Sequence, residues 1–315
     1  AGGSRLTTGN YDLHQQLERR LAQFKGTEAT LVFNTGYMAN LGVLSTLVTE
    51  KDLILSDQLN HASIIDGCKL SKADVKVYQH CDIDDLKEQL EKYREQYDEV
   101  LIVTDGVFSM DGDLAPLTAI TDLAAQYNAL VMVDDAHGTG VIGDKGAGVV
   151  DYFGVKEEVD IQVGTLSKAL ASEGGFVVGS EKLVNLLLNK ARSFIYSTAL
   201  APATIAAALA ALNYLDNNSQ LVEKLHNNIR FLKSGLEEMS YQVLKGTSAI
   251  IPVMIGKEEK AVDLSRKLLG EGILAPAIRP PTVPQGTSRI RTTVMATHSQ
   301  KDLKEVLAAF ERAKD

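Results

Sequence analysis

Apolar residues recur at helical spacing at Leu13, Leu17, Leu21 and Phe24, and Gly26 follows as a stop, which predicts an amphipathic helix over 11–25. Beyond it, short apolar and β-branched runs alternate with longer amphipathic stretches. Strands are predicted at 29–33, 53–55, 75–78, 100–103, 130–133, 159–163 and 176–178. Helices are predicted at 38–48, from His61, at 84–97, around 117–127, at 181–191 and at 201–215. Strands that alternate with helices in this way form a mostly parallel sheet with helices on both faces, so the expected class is α/β. The polar break DNNS at 216–219 divides a large domain, 1–215, from a smaller α+β domain, 216–315. In the smaller part the pattern gives helices at 221–239, 261–270 and 300–314, and strands at 249–255, 273–278 and 289–294.

Composition narrows the classes. A chain of 315 residues with 45% hydrophobic content can bury a large core. The net charge of −9, with no lysine or arginine run, offers no footprint for nucleic acid. No apolar stretch approaches the roughly 20 residues of a membrane span, and the start AGGSRLTTGN resembles neither a signal nor a transit peptide. The expected location is therefore cytoplasmic, without membrane partners. The opening glycine run reads as the inside of a loop, so an N-terminal segment is expected ahead of it. Cys68 and Cys81 have no CxxC spacing, so neither a disulfide framework nor a metal site is expected.

In such sheets ligands collect at the carboxyl ends of strands. The polar residues of this chain that carry chemistry cluster at those ends. The stretch VGTLSKALASEGG places Lys168 on a polar turn between two apolar runs, where partial desolvation would make its amine a Schiff-base nucleophile. Thr165 and Ser167 add hydroxyls for a phosphate, and the small residues around them let a bulky ligand approach. Gly36 and Tyr37 stand where a strand delivers the chain to a helix N-terminus, a place that binds anions. Asp105 and Ser109 follow one strand and Asp134, Ala136 and His137 another. A buried carboxylate at Asp134 needs a cationic partner, and a protonated pyridine nitrogen would serve. Ala136 would then support the ring, His137 would donate to its phenolic oxygen and His61 would stack on its other face. Arg279, Arg289 and Arg291 lie near the chain end, and one of them could grip a carboxylate bidentately.

Five blocks, FNTGYMAN, LNHASIIDG, TDGVFSMDGD, VDDAHGTGVIG and TLSKALASEGG, resemble those of the α-oxoamine synthases, fold-type I enzymes dependent on pyridoxal 5'-phosphate, in the same order and with similar spacing. Ala171 stands where that family commonly has glycine. The resemblance implies the aspartate-aminotransferase-like fold, with a large cofactor domain and a small C-terminal one. It also implies a decarboxylative condensation of an amino acid with an acyl-CoA thioester. By resemblance Lys168, His61 and Asp134 are catalytic, with Gly36, Tyr37, Ser109, Ala136, His137 and Thr165 completing the cofactor site. Ser197 would reach the phosphate of a partner subunit in a homodimer with shared active sites, and Arg291 and Thr282 would bind substrate. SMDGDLAPL and IRPPTVPQGTSRIR are most similar to members that join a pimeloyl thioester to L-alanine, whereas DQLNHASIIDG and Asp105 fit the pairing of acetyl-CoA with glycine. In 191–202, Phe194, Ile195 and Tyr196 cannot all face one core, so at least one is expected to meet a partner chain.

Overall fold

The structure is a computed structural model that describes residues 1–314. The chain forms two compact units, Ala1–Val107 with Ala115–Asn218, and Phe108–Leu114 with the chain from Ser219 on. In the first unit the elements run α1 (Asp12–Lys25), β1 (Ala29–Phe33), α2 (Gly36–Leu47), β2 (Leu53–Asp57), α3 (Ala62–Leu70), β3 (Asp74–Tyr78), α4 (Ile83–Tyr93), β4 (Val100–Asp105), α5 (Leu117–Tyr127), β5 (Leu130–Asp134), α6 (Val149–Phe153), β6 (Ile161–Thr165), β7 (Gly175–Gly179), α7 (Glu181–Lys190), α8 (Arg192–Ile195) and α9 (Pro202–Asn217). The second unit holds α10 (Gln220–Glu238), β8 (Gln242–Val243), β9 (Ile250–Gly256), α11 (Glu258–Gly270), β10 (Ala277–Ile278), β11 (Ser288–Thr293) and α12 (Gln300–Arg312).

The seven strands of the first unit form one sheet in the order β1-β7-β6-β5-β4-β2-β3. Strands β3, β2, β4, β5 and β6 are parallel neighbours, and β7 runs antiparallel to both β6 and β1. Every residue of β2, β4 and β6 is buried, which is why β2 and β4 open on apolar runs, 53–55 and 100–103, rather than alternating, while β6 carries a buried Gln162. One face of the sheet packs on α2, α3, α7 and α8 through Val43, Leu44, Ile64, Leu187 and Phe194. A second cluster joins α1 to α9 and β7 through Leu17, Leu21, Ile205, Leu212 and Phe176. Leu17 and Leu21 are fully buried, and each contributes about 1.5–3 kcal/mol of burial. In the second unit, β10-β11-β9-β8 make an antiparallel sheet. No helix among the described residues is long and apolar enough to cross a membrane.

Several boundaries moved, each for a physical reason. The helix expected at 38–48 begins at Gly36, because Thr35 caps it by accepting from Met38 N. The strand expected at 273–278 shrinks to Ala277–Ile278, because Pro276 offers no backbone N–H to a ladder. The short elements α6, α8 and β8 span five, four and two residues, too few to show a period in the sequence.

Candidate active site

The parallel strands β2, β4 and β5 each end in an aspartate: Asp57, Asp105 and Asp134. Asp105 and Asp134 are directly paired across neighbouring strands, so two buried carboxyl groups stand side by side. Burial first, and the Asp134 charge second, push Asp105 well above the usual carboxylate range. The His61 backbone N–H and the Lys168 charge pull the other way. Asn60 fixes this edge, taking the Asp105 N–H on Oδ1 at 2.7 Å and donating from Nδ2 to the Val103 carbonyl at 2.8 Å.

Asp134 is held by neutral donors alone. Asn40 Nδ2 donates to its Oδ2 at 2.6 Å and the Ala136 N–H to its Oδ1 at 3.0 Å. No cation among the described residues pairs with it, although it is buried. A buried, hydrogen-bonded but uncompensated carboxylate fits a ligand that brings the positive charge itself, as a pyridinium nitrogen does. His61 caps α3, with Nδ1 accepting from Ser63 N at 3.2 Å and standing 2.7 Å from Ser63 Oγ. Its residue is exposed, leaving the imidazole open to a stacked ring. Ala136 and His137, both half-buried, lie on the loop that leaves β5.

A helix N-terminus able to receive an anion lies next to these groups. Capping by Thr35 leaves the N–H groups of Gly36 and Tyr37 without acceptors among the described residues, at the positive end of a twelve-residue helix. A Cβ on Gly36 would sit 3.5 Å from the Thr165 Cβ, so the helix end faces the end of β6. Thr165 Oγ1 donates to the Gly174 carbonyl at 2.9 Å and lies 2.7 Å from Ser167 Oγ, which closes the hairpin loop carrying Lys168. Lys168 is exposed on that loop rather than partly desolvated as expected, because its neighbours Ser167 and Ala169 are small and exposed and do not cover it. Ala171 takes φ +47°, the left-handed region, which gives the physical reason a glycine suits that position. Ser197 Oγ donates to the Ser193 carbonyl at 2.7 Å, beside Met38 of α2.

The remaining expected residues belong to the second unit. Arg289 and Arg291 alternate along β11. Arg289 is buried and paired with Asp111 at 2.6 Å. Arg291 donates from Nε to the Ser109 carbonyl at 2.7 Å and from Nη1 to Thr293 Oγ1 at 3.2 Å, and no carboxylate among the described residues meets it. Burial lowers its pKa; because Arg289 is spent on Asp111 while Arg291 meets only neutral acceptors, Arg291 is the one of the two left to receive an external carboxylate. Arg279 pairs with Glu258 at the surface, and Thr282 is exposed in the turn after Pro281.

Two other features stand apart from this constellation. Asp57, His80 and Cys81 bring an oxygen, a nitrogen and a sulfur within 4.8 Å of one another. The Asp57 carboxylate there already takes the Leu59 N–H, His80 Nδ1 and the Cys81 N–H, at 2.8, 3.0 and 2.9 Å, which locks the turn after β3. A cavity of about 630 Å³ lined by Leu47, Leu130, Lys156, Asp160, Gly179 and Leu186 lies at the opposite, amino end of β5 and β6 and includes none of the expected residues.

Residues 1–310 match the family described as aminotransferase class I and II. The chain belongs to that family. Within it, the 8-amino-7-oxononanoate synthase of Lysinibacillus sphaericus is 52% identical over 99% of this chain and 80% of its own length. A Sphingomonas wittichii serine palmitoyltransferase structure superposes with TM-score 0.95 at 36% identity, over 99% of this chain and 78% of that one. The 8-amino-7-oxononanoate synthase structure from Francisella tularensis gives TM-score 0.82 at 30% identity, over 98% and 88% of the two chains. For this family member, the residues that the sequence reading missed are Asn40, Asn60, Ser63, Lys25 and Asp135. The first three lie inside blocks already singled out, and a polar Asn40 in the apolar run from Met38 to Leu44 was the available signal. Asp135 also lies in such a block, VDDAHGTGVIG, but nothing along the chain joined it to Lys25, 110 residues away.

Proposed function

We propose that this chain is a pyridoxal-phosphate-dependent acyltransferase of the α-oxoamine synthase type. It condenses L-alanine with a pimeloyl thioester to give 8-amino-7-oxononanoate, CoA and carbon dioxide, a step of biotin formation. The observation that carries the reading is Asp134, a buried carboxylate with only neutral partners at the carboxyl edge of the sheet. The pairing with L-alanine rests on the 52% relative, against 36% for the serine palmitoyltransferase at equal coverage of this chain.

When bound, pyridoxal phosphate supplies the electron sink that makes the α-carbon of the amino acid acidic. Asp134 would keep the ring nitrogen protonated, and the Gly36 and Tyr37 N–H groups with Thr165 would hold the phosphate. Ala136 and His61 would enclose the ring, and Ser109 and His137 would contact its phenolic oxygen. The Lys168 amine would hold the cofactor and would be the base that takes the α-proton and returns it. His61 polarises the carbonyl oxygen of the acyl group. Arg291 holds the amino-acid carboxylate and Thr282 contacts substrate. In this reading the cofactor domain spans 1–215 and the small domain 216–315, and the enzyme works in the cytoplasm.

The same reading makes the protein a homodimer with shared sites. Phe194 is buried against Phe33, Ile195 is half-buried and Tyr196 is 72% exposed, so Tyr196 is the apolar residue left for a partner, with Ser197 beside it. Mixing the inactive variants Lys168→Ala and Ser197→Asp under subunit exchange restores activity if the site is shared; exchange without recovery refutes sharing. The substrate is tested by CoA release with pimeloyl-CoA plus alanine against acetyl-CoA plus glycine. Release only with the second pair overturns the assignment. Absence of a visible cofactor band after addition of pyridoxal phosphate, or its persistence in Lys168→Ala, overturns the enzyme reading itself.

A further inference from the structure

Asn40 is fully buried in α2, among the core residues Ala39, Val43 and Leu44. Its Nδ2 lies 2.6 Å from Asp134 Oδ2 and 2.8 Å from Ser63 Oγ. A side-chain amide has two hydrogens, and these acceptors claim one each. Turning the amide over would set its oxygen against the carboxylate, so the network fixes its orientation. Ser63 Oγ therefore accepts from Asn40, and it lies 2.7 Å from His61 Nδ1. The Ser63 backbone N–H is aimed at the same nitrogen, at 3.2 Å. A backbone N–H can only donate, so Nδ1 is the acceptor, the Ser63 hydroxyl hydrogen turns to it as well, and the proton of the neutral imidazole resides on Nε2.

We propose that Asn40 and Ser63 are positioning residues that tie the Asp134 carboxylate to His61 and hold the His61 ring in its Nε2–H form, so that this N–H is the donor offered to the carbonyl oxygen of the substrate. The inference rests on the role given to His61 above and deepens it. One feature of the fold supports it independently: Asn40 Oδ1 is buried with no donor. An apolar side chain of similar shape would avoid that unmet acceptor, so the amide is kept in the helix for its hydrogens. The Asn40 amide thus donates both ways, to the Asp134 carboxylate at the end of β5 and to the Ser63 hydroxyl at the start of α3, and the hydroxyl links on to the His61 imidazole.

The test reads the tautomer directly. Protein labelled with ¹⁵N-histidine is studied with and without pyridoxal phosphate, and the His61 signals are assigned by their loss in His61→Gln. The expected wild-type pattern has a protonated Nε2 and an unprotonated Nδ1. In Ser63→Ala that preference collapses to a mixture, and in Ser63→Thr, which keeps the hydroxyl, it is restored. Steady-state turnover of Ser63→Ala falls roughly tenfold in kcat, with the KM for the amino acid within about twofold, and Ser63→Thr recovers most of the loss. Asn40→Ala weakens the tautomer preference and raises the dissociation constant for pyridoxal phosphate about tenfold. If Ser63→Ala fails to fold, Ser63→Cys replaces it. A wild-type His61 protonated on Nδ1, or a Ser63→Ala pattern identical to wild type, overturns the proposal, as does an altered tautomer with unchanged kcat. Because the nitrogen shifts need no turnover, they decide the hydrogen-bond chain even if the acyl substrate has been assigned wrongly.

Discussion

Asp134 and Asp135 follow one another at the end of β5 and have opposite surroundings. On one side, Asp134 meets the Asn40 amide and the Ala136 N–H, all neutral donors. On the other, Asp135 meets Lys25 Nζ at 2.5 Å, with both side chains fully buried, and also takes the Val149 N–H and the Thr139 hydroxyl. Burial pushes the Asp135 carboxyl up, while Lys25 and these hydrogen bonds pull it back down. Gly148, with φ +110°, packs directly on this pair, where any Cβ would collide with the Asp135 carboxylate. One carboxylate is thus neutralised inside the fold and anchors the loop, whereas its neighbour is left for an outside cation. The arginines of β11 repeat the contrast, with Arg289 consumed by Asp111 and Arg291 bound only to neutral acceptors. An internally compensated charge reads as architecture. A charge given hydrogen bonds but no counter-ion reads as a binding group.

The largest effect should come from breaking the compensated side. Lys25→Met leaves Asp135 buried without its cation and is expected to cost about 3–5 kcal/mol in urea unfolding. The double variant Lys25→Met with Asp135→Leu should recover much of it; a single variant as stable as wild type would erase the distinction. Asp134→Asn makes the opposite change. Cofactor binding is retained, but turnover falls about 100- to 1000-fold as the ring nitrogen loses its counter-charge. Normal turnover there would remove Asp134 from the mechanism.

Arg291→Lys loses bidentate geometry, so the KM for the amino acid should rise roughly tenfold, whereas Arg289→Lys should leave that KM unmoved. Equal effects would end the parallel between β5 and β11. Asp105 gives a pH signature of its own. Its folded pKa is raised, and an unfolded aspartate titrates near 3.9, so the folded state keeps this proton to higher pH. The associated stability is full below about pH 4 and is lost as pH rises through the folded value. Asp105→Asn removes that loss and should gain on wild type by on the order of 1 kcal/mol between about pH 5 and 8; parallel stability profiles would contradict it. The smallest change is Ala171→Gly, which relieves a left-handed alanine without touching either carboxylate. It should raise stability by about 1 kcal/mol and leave the kinetics alone.

The sheet was legible because strands buried on both faces are dominated by apolar, β-branched residues, and all seven strands of the first unit were anticipated within a few residues. Asp134 stood out because it closes the apolar run of β5, whereas Lys168 and His61 lie on loops beyond β6 and β2 and were singled out from the blocks around them. The segment 273–278 misled because Ile273, Leu274 and Ala275 look like a strand, yet Leu274 is 84% exposed and the ladder forms only after Pro276.

By itself the sequence determined the alternation of elements, the chemistry-bearing residues at strand ends and the membership in a family, since each is local or is carried by contiguous blocks. Tertiary structure alone decided which charges are spent and which are available. Lys25 could pair with Asp135 only once α1 lay against the loop after β5. Asn40 could reach both Ser63 and Asp134 only when α2 and α3 met beside β5. Counter-ions and hydrogen-bond directions depend on distances between segments far apart in the chain, and no periodicity along the chain encodes those distances.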